Sequence, residues 1–447
     1  MLHSPALRVS RRSFLKAAGV AALAAGLGMR LIVPCRVRAQ PKTLKILQWK
    51  HFVPGYDTWF NDTYVKAWGE QHNMRVSVDN IGLADLYQHA DAEIKAQHGH
   101  DLVMFLSPAP MYEDQVIDHR EIYEECERQY GKAADLARQS TYNPTTHKFF
   151  GFPYSYVPLP INYRKDLWDA VGVVPDTWED IRRGGRNIRQ QHGISIGIGL
   201  APEIDSNMTA LAILYAFGAS VQDADNRPTL QSKETLEALK FVKALYVESM
   251  ADDVLTWTEA SNNQLMLAGQ GSLALNAISI TRTAENKRLP MGEQIWLARA
   301  AQGPVRRLAP NLIQTYVVWK FAEHIDGAKQ FLVDYIGQFR QGLLASALYN
   351  LPCFPQTVPD LESLCAHDAQ ATPPDKYKIL ADALTWTTHL GYPGSTNAAI
   401  DEIFNTWLLS TMFAQAATGK LSPEDALHQA DTQVQRLFQK WRERGKV

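Results

Sequence analysis

The hydrophobic pattern near the start of the chain alternates between a period of two residues and a period of 3.6. The segments Thr43–Trp49, Arg75–Asp79 and His100–Phe105 have the short, largely apolar or alternating patterns that predict strands. Between them, residues 57–71 and residues 83–94 carry apolar side chains at helical spacing. This order of strands and helices predicts a parallel α/β sheet, in which ligands bind at the carboxyl ends of the strands.

The rest of the chain continues the α/β pattern. Further strands are predicted at Gly193–Gly199, Ser272–Asn276 and Ile313–Trp319, and further helices at Ser206–Phe217, Ser232–Glu248, Ile325–Phe339 and in a tail from Thr396. Ser261–Gln264 has the sequence of a capping box, and Ser422–Asp425 that of a helix start. Four tryptophans fall within these patterns and are predicted to lie in the core: Trp168, Trp178, Trp319 and Trp407.

The first 39 residues have the pattern of an export signal. Ser10–Lys16 contains the adjacent pair Arg11-Arg12 followed by Phe-Leu-Lys, which matches a twin-arginine signal. The apolar run from Ala17 to Gly28 is too short to span a bilayer, and cleavage is predicted after Ala39. An ordinary secretory signal is the alternative. Both routes predict an exported protein, located in the periplasm.

Charge and composition exclude several classes of function. The predicted signal contains seven basic residues and no acidic one, so the remainder has 38 Lys and Arg against 47 Asp and Glu, a net charge near −9. Nucleic acid is therefore a poor partner, because its binding normally requires a basic surface. Eleven tryptophans and seventeen tyrosines favour a large core, rings presented to a ligand, or both.

Cysteine and histidine spacing gives little evidence of metal or redox chemistry. Cys126, Cys353 and Cys365 remain after the signal, and an oxidising compartment would allow Cys353 to pair with Cys365. The alternative to a disulfide, which has equal support, is that the three cysteines are free and act as small buried apolar residues. The histidines lack metal-ligand spacing, and no cofactor is predicted.

An ordered set of motifs resembles one known family. Phe150–Tyr156, Ile161–Trp168 and Val171–Asp180 resemble the central signature of family 1 of the bacterial extracellular solute-binding proteins, the receptors of ABC importers that include the maltose-binding type. Residues 214–246 and the ending Ala417–Leu427 are similar to further segments of that family, so the resemblance covers nearly the whole chain after the signal. Asn162 and Tyr163 stand in exchanged order relative to the family pattern.

The resemblance implies a periplasmic binding protein-like fold of two α/β lobes that enclose a central cleft and are joined by a hinge (type II, with multiple chain crossings). Residues 40–156 with 316–352 are assigned to lobe 1, and residues 157–315 with 353–447 to lobe 2. Crossings are expected near 156–160, 314–316 and 351–355. Hinge closure over the solute creates the shape that an importer recognises.

Candidate ligand-binding residues follow the predicted strands or lie at the expected crossings. Aromatic rings cover the apolar face of a polyhydroxylated solute, while hydroxyl and amide groups bind its oxygens. For Trp49 a core position is an equal alternative, for Ser107 a turn, and for Asn207 a helix start. Of Tyr154 and Tyr156, one is expected to face the cleft. The full set is Trp49, His51, Ser107, Tyr154, Tyr156, Asn207, Asn276, Tyr316 and Tyr392.

The loop from Asp223 to Asn226 offers carboxylates but not a complete calcium site, and it is predicted to be a turn. No metal site is assigned.

Three functions compete at this level. The first is a monomeric receptor that captures a small neutral solute, a carbohydrate or polyol, for an ABC permease in the inner membrane. Polyamine and ferric iron are further ligand classes, although iron favours an adjacent tyrosine pair and the sequence has none. The second is an exported carbohydrate-active enzyme. The sequence does not support it, because it shows neither a carboxylate pair in a loop nor a Gly-x-Ser-x-Gly motif. The third is a receptor that presents its ligand to a sensor.

Overall fold

The computed structural model describes residues 42–447, so the predicted signal lies outside the described residues. The strands are β1 Thr43–Trp49, β2 Arg75–Ile81, β3 Leu102–Phe105, β4 Tyr142–Asn143, β5 Lys148–Phe149, β6 Phe152–Pro158, β7 Ile161–Arg164, β8 Ser195–Gly197, β9 Gly271–Leu275, β10 Ile295–Ala298, β11 Ala309–Val318, β12 Leu351–Pro352 and β13 Thr387–Thr388.

Helices connect and cover these strands. They are α1 Pro54–Trp59, α2 Val65–His72, α3 Leu86–Ala96, α4 Arg120–Tyr130, α5 Asp135–Thr141, α6 Lys165–Ala170, α7 Trp178–His192, α8 Ile204–Phe217, α9 Lys233–Ser249, α10 Ser261–Leu267, α11 Ser279–Asn286, α12 Met291–Gln294, α13 Ile325–Gly337, α14 Phe339–Ala345, α15 Leu361–Ala366, α16 Ala398–Asn405, α17 Leu408–Ala417 and α18 Pro423–Glu443. Among residues 42–447, no helix is long and apolar enough to cross a membrane.

The larger sheet has the strand order β12-β6-β11-β3-β1-β2, with β13 beside β11. The predicted parallel arrangement of the first three strands is confirmed, because β1 pairs in parallel with both β2 and β3. Strand β11 runs antiparallel to β3 and β6, and every residue of β6 and β11 is buried. The carboxyl ends of β1 and β3 therefore lie side by side, as the sequence predicts for a ligand-binding edge.

The smaller sheet has the order β10-β7-β9-β8. Only Leu159 and Pro160 separate β6 of the larger sheet from β7 of the smaller one, and the chain returns between β10 and β11. Ile161–Arg164, which begins one of the motifs of the family resemblance, is a strand that pairs on both sides with β9 and β10. The chain thus passes directly between the two sheets at Leu159 and Pro160, near the first of the expected crossings, and returns over residues 299–308.

The helix predicted at residues 57–71 is interrupted. A π-helical turn at Phe60–Tyr64 separates α1 from α2. Apolar residues four apart drift by about 40° per step around an α-helix, and the wider π turn offsets this drift. Tyr56, Phe60, Tyr64 and Trp68 consequently all point into the core.

Most predicted helix ends are confirmed, with one exception. Ser422 accepts a hydrogen bond from the Asp425 backbone at 3.0 Å, and Ser232 caps α9 by accepting from Thr235 at 3.1 Å. The predicted capping box at Ser261–Gln264 is wrong, since Ser261 is already helical and accepts from the Thr258 backbone. The next two asparagines both accept from Nδ2 of Asn276, which directly follows β9.

The three cysteines of the described chain are free and buried, so Cys353 and Cys365 are not joined in a disulfide. The alternative of small buried apolar residues fits their surroundings. Burial raises the pKa of each thiol, for Cys365 to about 12.

Candidate functional site

An aromatic cluster follows the carboxyl end of β1. The ring of Trp49 stacks on the imidazole of His51 with centroids 4.8 Å apart, and Phe52 lies 5.0 Å from Trp49. Tyr349, from the segment before β12, meets the His51 ring edge-on at 4.9 Å. The indole Nε1 of Trp49 is buried and has no hydrogen-bond partner among the described residues. A buried aromatic cluster with an unpaired donor thus lies at the expected edge of the larger sheet, and because Trp49 is 1% exposed, its role in ligand binding stays a prediction beside the core alternative.

His51 is neutral, and its tautomer follows from its contacts. The backbone N–H of Val53 donates to Nδ1 at 2.9 Å, so the ring proton is on Nε2 and is donated to Oδ1 of Asn350 at 3.2 Å. Burial lowers the pKa of His51 to about 4, against the raising effect of the Asn350 bond. Asn350 therefore uses its oxygen on His51, while its Nδ2 is buried without a partner in the described chain.

Two carboxylates lie at the start of α8. Glu203 caps this helix by accepting from the backbone N–H groups of Asp205 at 2.7 Å and Ser206 at 2.5 Å. Asp205 accepts from Nδ2 of Asn262 at 2.7 Å, and Asn262 in turn accepts from Nδ2 of Asn276 at 2.8 Å. These hydrogen bonds connect the predicted Asn276 to Asn262 and Asp205, which the sequence analysis does not identify as site residues.

Both acids are held without a basic partner. Burial raises the pKa of Asp205 well above its ordinary range, with the charge of Glu203 adding to the effect, and burial likewise raises the pKa of Glu203. Among residues 42–447, no Lys, Arg or His forms a salt bridge with either carboxylate. The only hydrogen-bond donors to the two carboxylates in the described chain are neutral protein groups.

Tyr349 connects the two sets of residues. Its ring touches His51, and its pKa is raised by burial and then by the charge of Asp205. The carboxylate of Asp205 is therefore near enough to Tyr349 to act on it electrostatically. We call the set Trp49, His51, Tyr349, Asn350, Glu203, Asp205, Asn262 and Asn276 the candidate solute site.

A second acid lies beside the carboxyl end of β3. Asp401, on α16, accepts from the backbone N–H of Met111 at 3.1 Å and from Nδ2 of Asn405 at 2.6 Å. Asn405 also donates to the hydroxyl of Tyr87 at 3.3 Å, and Ser107 lies beside the same hydroxyl. Burial raises the pKa of Asp401 to about 8. The predicted Ser107 thus lies at this polar contact between the β3 edge and α16.

Three of the predicted tyrosines lie in the core of the larger sheet. Tyr154 donates to Gln314, Tyr316 donates to Gln48 at 3.0 Å, and their rings are 5.0 Å apart. Tyr156 is 2% exposed and lies near two buried cysteines. Because their neighbours are protein groups, a role for these three in ligand binding stays a prediction.

Tyr392 and Asn207 also make contacts within the protein. The hydroxyl of Tyr392 accepts from Arg306 at 2.8 Å, and its ring meets Tyr215 edge-on at 5.5 Å. Neither contact belongs to the candidate solute site. Asn207 lies in the first turn of α8 but is not its cap, since Glu203 has that role.

The amide of Asn207 supports a break between two helices. It donates to the carbonyl of Phe404 at 2.7 Å and accepts from the backbone N–H of Ser410 at 3.2 Å, so it satisfies the end of α16 and the start of α17. Trp407 lies in this break with a left-handed φ of 58° and is half-buried. The prediction that Trp407 is a core residue is confirmed only in part, because the half-buried ring packs against the edge of the main core.

Several site residues were missed, although the sequence carries weak signals for some of them. Glu203 and Asp205 follow a short Ile/Gly strand, which is a position where the sheet argument places ligands. Asn262 and Asn263 lie within the predicted capping box, a pattern that indicates a helix start and not a ligand site. Tyr349 and Asn350 precede an expected crossing, but nothing in their local pattern separates them from an ordinary loop.

The loop at Asp223–Asn226 is confirmed as a turn. Its Asp223 carboxylate accepts from the backbone N–H groups of Asp225 at 2.9 Å and Arg227 at 2.8 Å. Within residues 42–447, no group of three or more His, Cys, Asp or Glu side chains is arranged to hold a metal ion.

Solved structures with the same fold include several that contain sugars or polyols. A maltose-bound T. maritima protein, MalE3, is 16% identical, with a TM-score of 0.73 over 88% of this chain and 99% of that chain. A sugar transporter from Arthrobacter chlorophenolicus A6 with bound laminaribiose is 17% identical, with a TM-score of 0.73 over 88% and 99%. An ABC transporter solute-binding protein from Agrobacterium radiobacter K84 in complex with ribitol is 15% identical, with a TM-score of 0.69 over 89% and 98%. These likenesses confirm the predicted periplasmic binding protein-like fold.

Family membership rests on the sequence itself. The profile of the family described as bacterial extracellular solute-binding protein matches residues 62–335. No curated protein matches the chain in sequence. The match spans more than half of the chain and includes the motifs from Phe150 to Asp180 that carry the resemblance. The chain therefore belongs to the bacterial extracellular solute-binding proteins, and it is a binding protein rather than an enzyme.

Proposed function

We propose that the protein is the receptor of an ABC-type importer and captures a small neutral solute, a carbohydrate or polyol, in the periplasm. The observation that carries this proposal is the Trp49–His51 stack at the carboxyl end of β1, with Tyr349 edge-on to His51 and near enough to Asp205 for that carboxylate to raise its pKa. Aromatic faces pack on the apolar C–H surface of a sugar, and carboxylates accept hydrogen bonds from its hydroxyl groups.

The charges at the candidate solute site support a neutral ligand. His51 is neutral because burial lowers its pKa to about 4, and burial raises the pKa values of Asp205 and Glu203. Trp49 Nε1 and Asn350 Nδ2 add buried donors to these acceptors. A ligand with many hydroxyl groups can both donate and accept, so it satisfies this mixed set. Solved relatives of the same fold hold maltose, laminaribiose and ribitol.

An amine-bearing solute is the second candidate, because Glu203 and Asp205 are buried together without a basic partner in the described chain. A cationic ligand would pair with them directly. The neutral ligand is favoured because the site also contains the buried donors Trp49 Nε1 and Asn350 Nδ2, which an ammonium group, a donor only, would leave unpaired.

Capture is proposed to occur by hinged closure of two lobes, with residues 40–156 and 316–352 in one and residues 157–315 and 353–447 in the other. The direct passage from β6 to β7 supports this division, because only Leu159 and Pro160 connect the two sheets there. A ligand that touches Trp49 on one side and Asp205 on the other would favour the closed form. The closed monomer would then dock on the inner-membrane permease. Presentation of the solute to a sensor instead would use the same closed form.

The ligand class is tested by thermal shift of the purified protein with maltose, laminaribiose, ribitol and spermidine. We expect a saturable rise in Tm with at least one of the three neutral compounds and none with spermidine. A rise with spermidine alone would contradict the neutral ligand. Asp205→Asn should abolish the rise, whereas Asp334→Asn, a carboxylate that binds Trp68 at 2.8 Å outside the candidate solute site, should retain it.

Closure and partnership need separate measurements. Small-angle scattering should show a smaller radius of gyration with the bound compound, and an unchanged radius would contradict hinged closure. Stimulation of the permease ATPase in proteoliposomes by the loaded protein tests the importer partnership, and cell fractionation tests the periplasmic location.

A further inference from the structure

Arg282, on α11, is a buried cation in a compact ionic cluster. Its side chain is 1% exposed and lies 3.7 Å from the ring centroid of Tyr377. One guanidinium nitrogen contacts Glu285 at 3.0 Å and another contacts Asp368 at 2.5 Å. Lys376 pairs with Glu285 at 2.9 Å. Two cations and two carboxylates therefore balance within the cluster, which a buried group of charges requires.

The remaining guanidinium nitrogen donates to a group outside this cluster. Nε of Arg282 donates to the backbone carbonyl of Ala347 at 2.7 Å. Ala347 and Leu348 both have left-handed backbone conformations, with φ of 50° and 67°, at the end of α14. Left-handed conformations are unfavourable for residues other than glycine, so they persist where surrounding contacts hold them. Arg282 supplies such a contact at the first of the two residues.

The held turn leads directly into the candidate solute site. Tyr349 and Asn350 follow Leu348 in the chain, and they contact His51 through the 4.9 Å ring contact and the 3.2 Å hydrogen bond. A second contact fixes the same turn, since Ser346 Oγ accepts from the Asn350 backbone at 3.1 Å. A change at the Ala347 carbonyl would therefore move both side chains that touch His51.

We propose that Arg282 is a positioning residue for the solute site: it holds the Ala347–Leu348 turn so that Tyr349 and Asn350 stay against His51. Arginine suits this role because its planar guanidinium donates in several fixed directions, here to two carboxylates and one carbonyl. A lysine at the same position keeps the charge but has one ammonium group, which lacks this geometry. The part of the proposal that concerns solute affinity rests on the proposed function, whereas the contact with His51 does not.

The experiment uses two variants of Arg282 and one control. Arg282→Lys keeps the positive charge and removes the planar guanidinium group with its several fixed donors. The double substitution Arg282→Gln with Asp368→Asn removes one cation and one carboxylate, so Lys376 and Glu285 still balance if the lysine variant fails to fold. Tyr377→Phe removes the hydroxyl that donates to Glu285 at 2.8 Å but leaves the bond to Ala347 in place. Far-UV circular dichroism identifies which variants are folded.

The first readout is the Nε2–H signal of His51 in ¹⁵N NMR of the ligand-free protein. We expect a slowly exchanging signal in the wild type and in Tyr377→Phe, because Nε2 donates to buried Asn350. We expect the signal to be lost in a folded Arg282 variant. A signal that is unchanged in both Arg282 variants would overturn the proposal. Failure of both variants to fold, with Tyr377→Phe folded, would also overturn it in favour of a purely structural role.

The second readout is affinity for maltose, laminaribiose and ribitol by calorimetry. For a compound that binds the wild type, we expect about tenfold weaker binding in the Arg282 variants and unchanged binding in Tyr377→Phe. Loss of the His51 signal with wild-type affinity would overturn the role of Arg282 in solute binding. If none of the three compounds binds the wild type, the proposed function fails, while the NMR result still decides whether Arg282 positions Asn350.

Discussion

Asn207 accepts a hydrogen bond from the backbone N–H of Ser410 at 3.2 Å, across 203 residues of sequence. Its amide also donates to the Phe404 carbonyl, so a single buried side chain joins the start of α8 to both sides of the α16–α17 break. The same first turn of α8 carries Asp205 and is capped by Glu203. The first turn of α8 therefore contributes both to the α16–α17 break, through Asn207, and to the candidate solute site, through Asp205.

Asn207→Ala is expected to lower the free energy of unfolding by about 2 kcal/mol, because it leaves a buried carbonyl and a buried N–H without partners. Urea titration measures the loss. Asn207→Asp is the matched control, since it keeps the acceptor for Ser410 and removes only the donor to Phe404, and its loss should differ from that of the alanine variant. An alanine variant as stable as the wild type would contradict the structural role.

His119 should make wild-type stability depend on pH. Val318 N–H donates to its Nε2 at 2.9 Å, so Nδ1 carries the proton and donates to the Phe149 carbonyl at 3.0 Å. Burial lowers the pKa of His119 from 6.5 to about 4. The unfolded chain thus binds the proton first as pH falls, and the neutral ring stabilises the fold fully above pH 6.5 and progressively less down to pH 4.

The effect is isolated by comparison with His119→Gln, because other buried groups titrate in the same range. We expect the variant to be less stable than the wild type at pH 7.5, with the difference shrinking by about 3 kcal/mol as pH falls to 4. Denaturant titrations at several pH values measure it. A difference that is constant across this range would contradict a buried neutral ring.

Asp401 should show the opposite dependence. Burial raises its pKa from 3.8 to about 8, so the folded protein holds a proton that the unfolded chain loses. Its contribution is complete below pH 3.8 and is lost as pH rises through 8. Relative to the wild type, Asp401→Asn should therefore gain stability between pH 4 and 8, by up to about 1.4 kcal/mol per pH unit.

Matched denaturant titrations of the two proteins test the sign. The asparagine keeps an acceptor for the Met111 N–H and replaces the oxygen that faces Asn405 with an amide, a change that does not depend on pH, so the pH dependence of the difference reports the proton. A gain that appears only below pH 4 would show that Asp401 is charged in the folded protein.

The elements that sequence predicts well are those fixed by neighbouring residues. β1 ends at Trp49 as predicted because alternation sets a strand, and α9 begins after Ser232 because its hydroxyl caps the helix. Strand alternation failed for the tyrosines of β6 and β11, since both faces of these central strands are covered and every position is buried. A tyrosine facing the core then has the same pattern as one facing a ligand.

The candidate solute site was only partly predictable for a related reason. Trp49 and His51 were found because the carboxyl end of a strand is a local feature. Asn350 was not, since its partner His51 is 299 residues away and the turn that presents it depends on the carbonyl of Ala347. Contacts between residues so far apart in sequence form only in the folded chain, and they produce no periodic pattern in the sequence.

Gly151 is a position where close packing requires the absence of a side chain. A Cβ there would collide with Cγ2 of Thr315, which lies on the neighbouring strand β11 and is fully buried. Gly151→Ala should therefore lower the free energy of unfolding by about 1–3 kcal/mol through overpacking. Because Gly151 has no left-handed φ, the cost is steric and not conformational.

Thr315→Ser in the same chain should rescue Gly151→Ala. Serine lacks Cγ2 and keeps the hydroxyl that donates to the Ile313 carbonyl at 3.0 Å, so the space for the new methyl group appears without loss of that bond. Urea titrations of the two single variants and the double variant give the coupling between the sites. We expect the double variant to be more stable than the sum of the single changes predicts. Strict additivity would mean that the collision is relieved elsewhere, by movement of β6 away from β11.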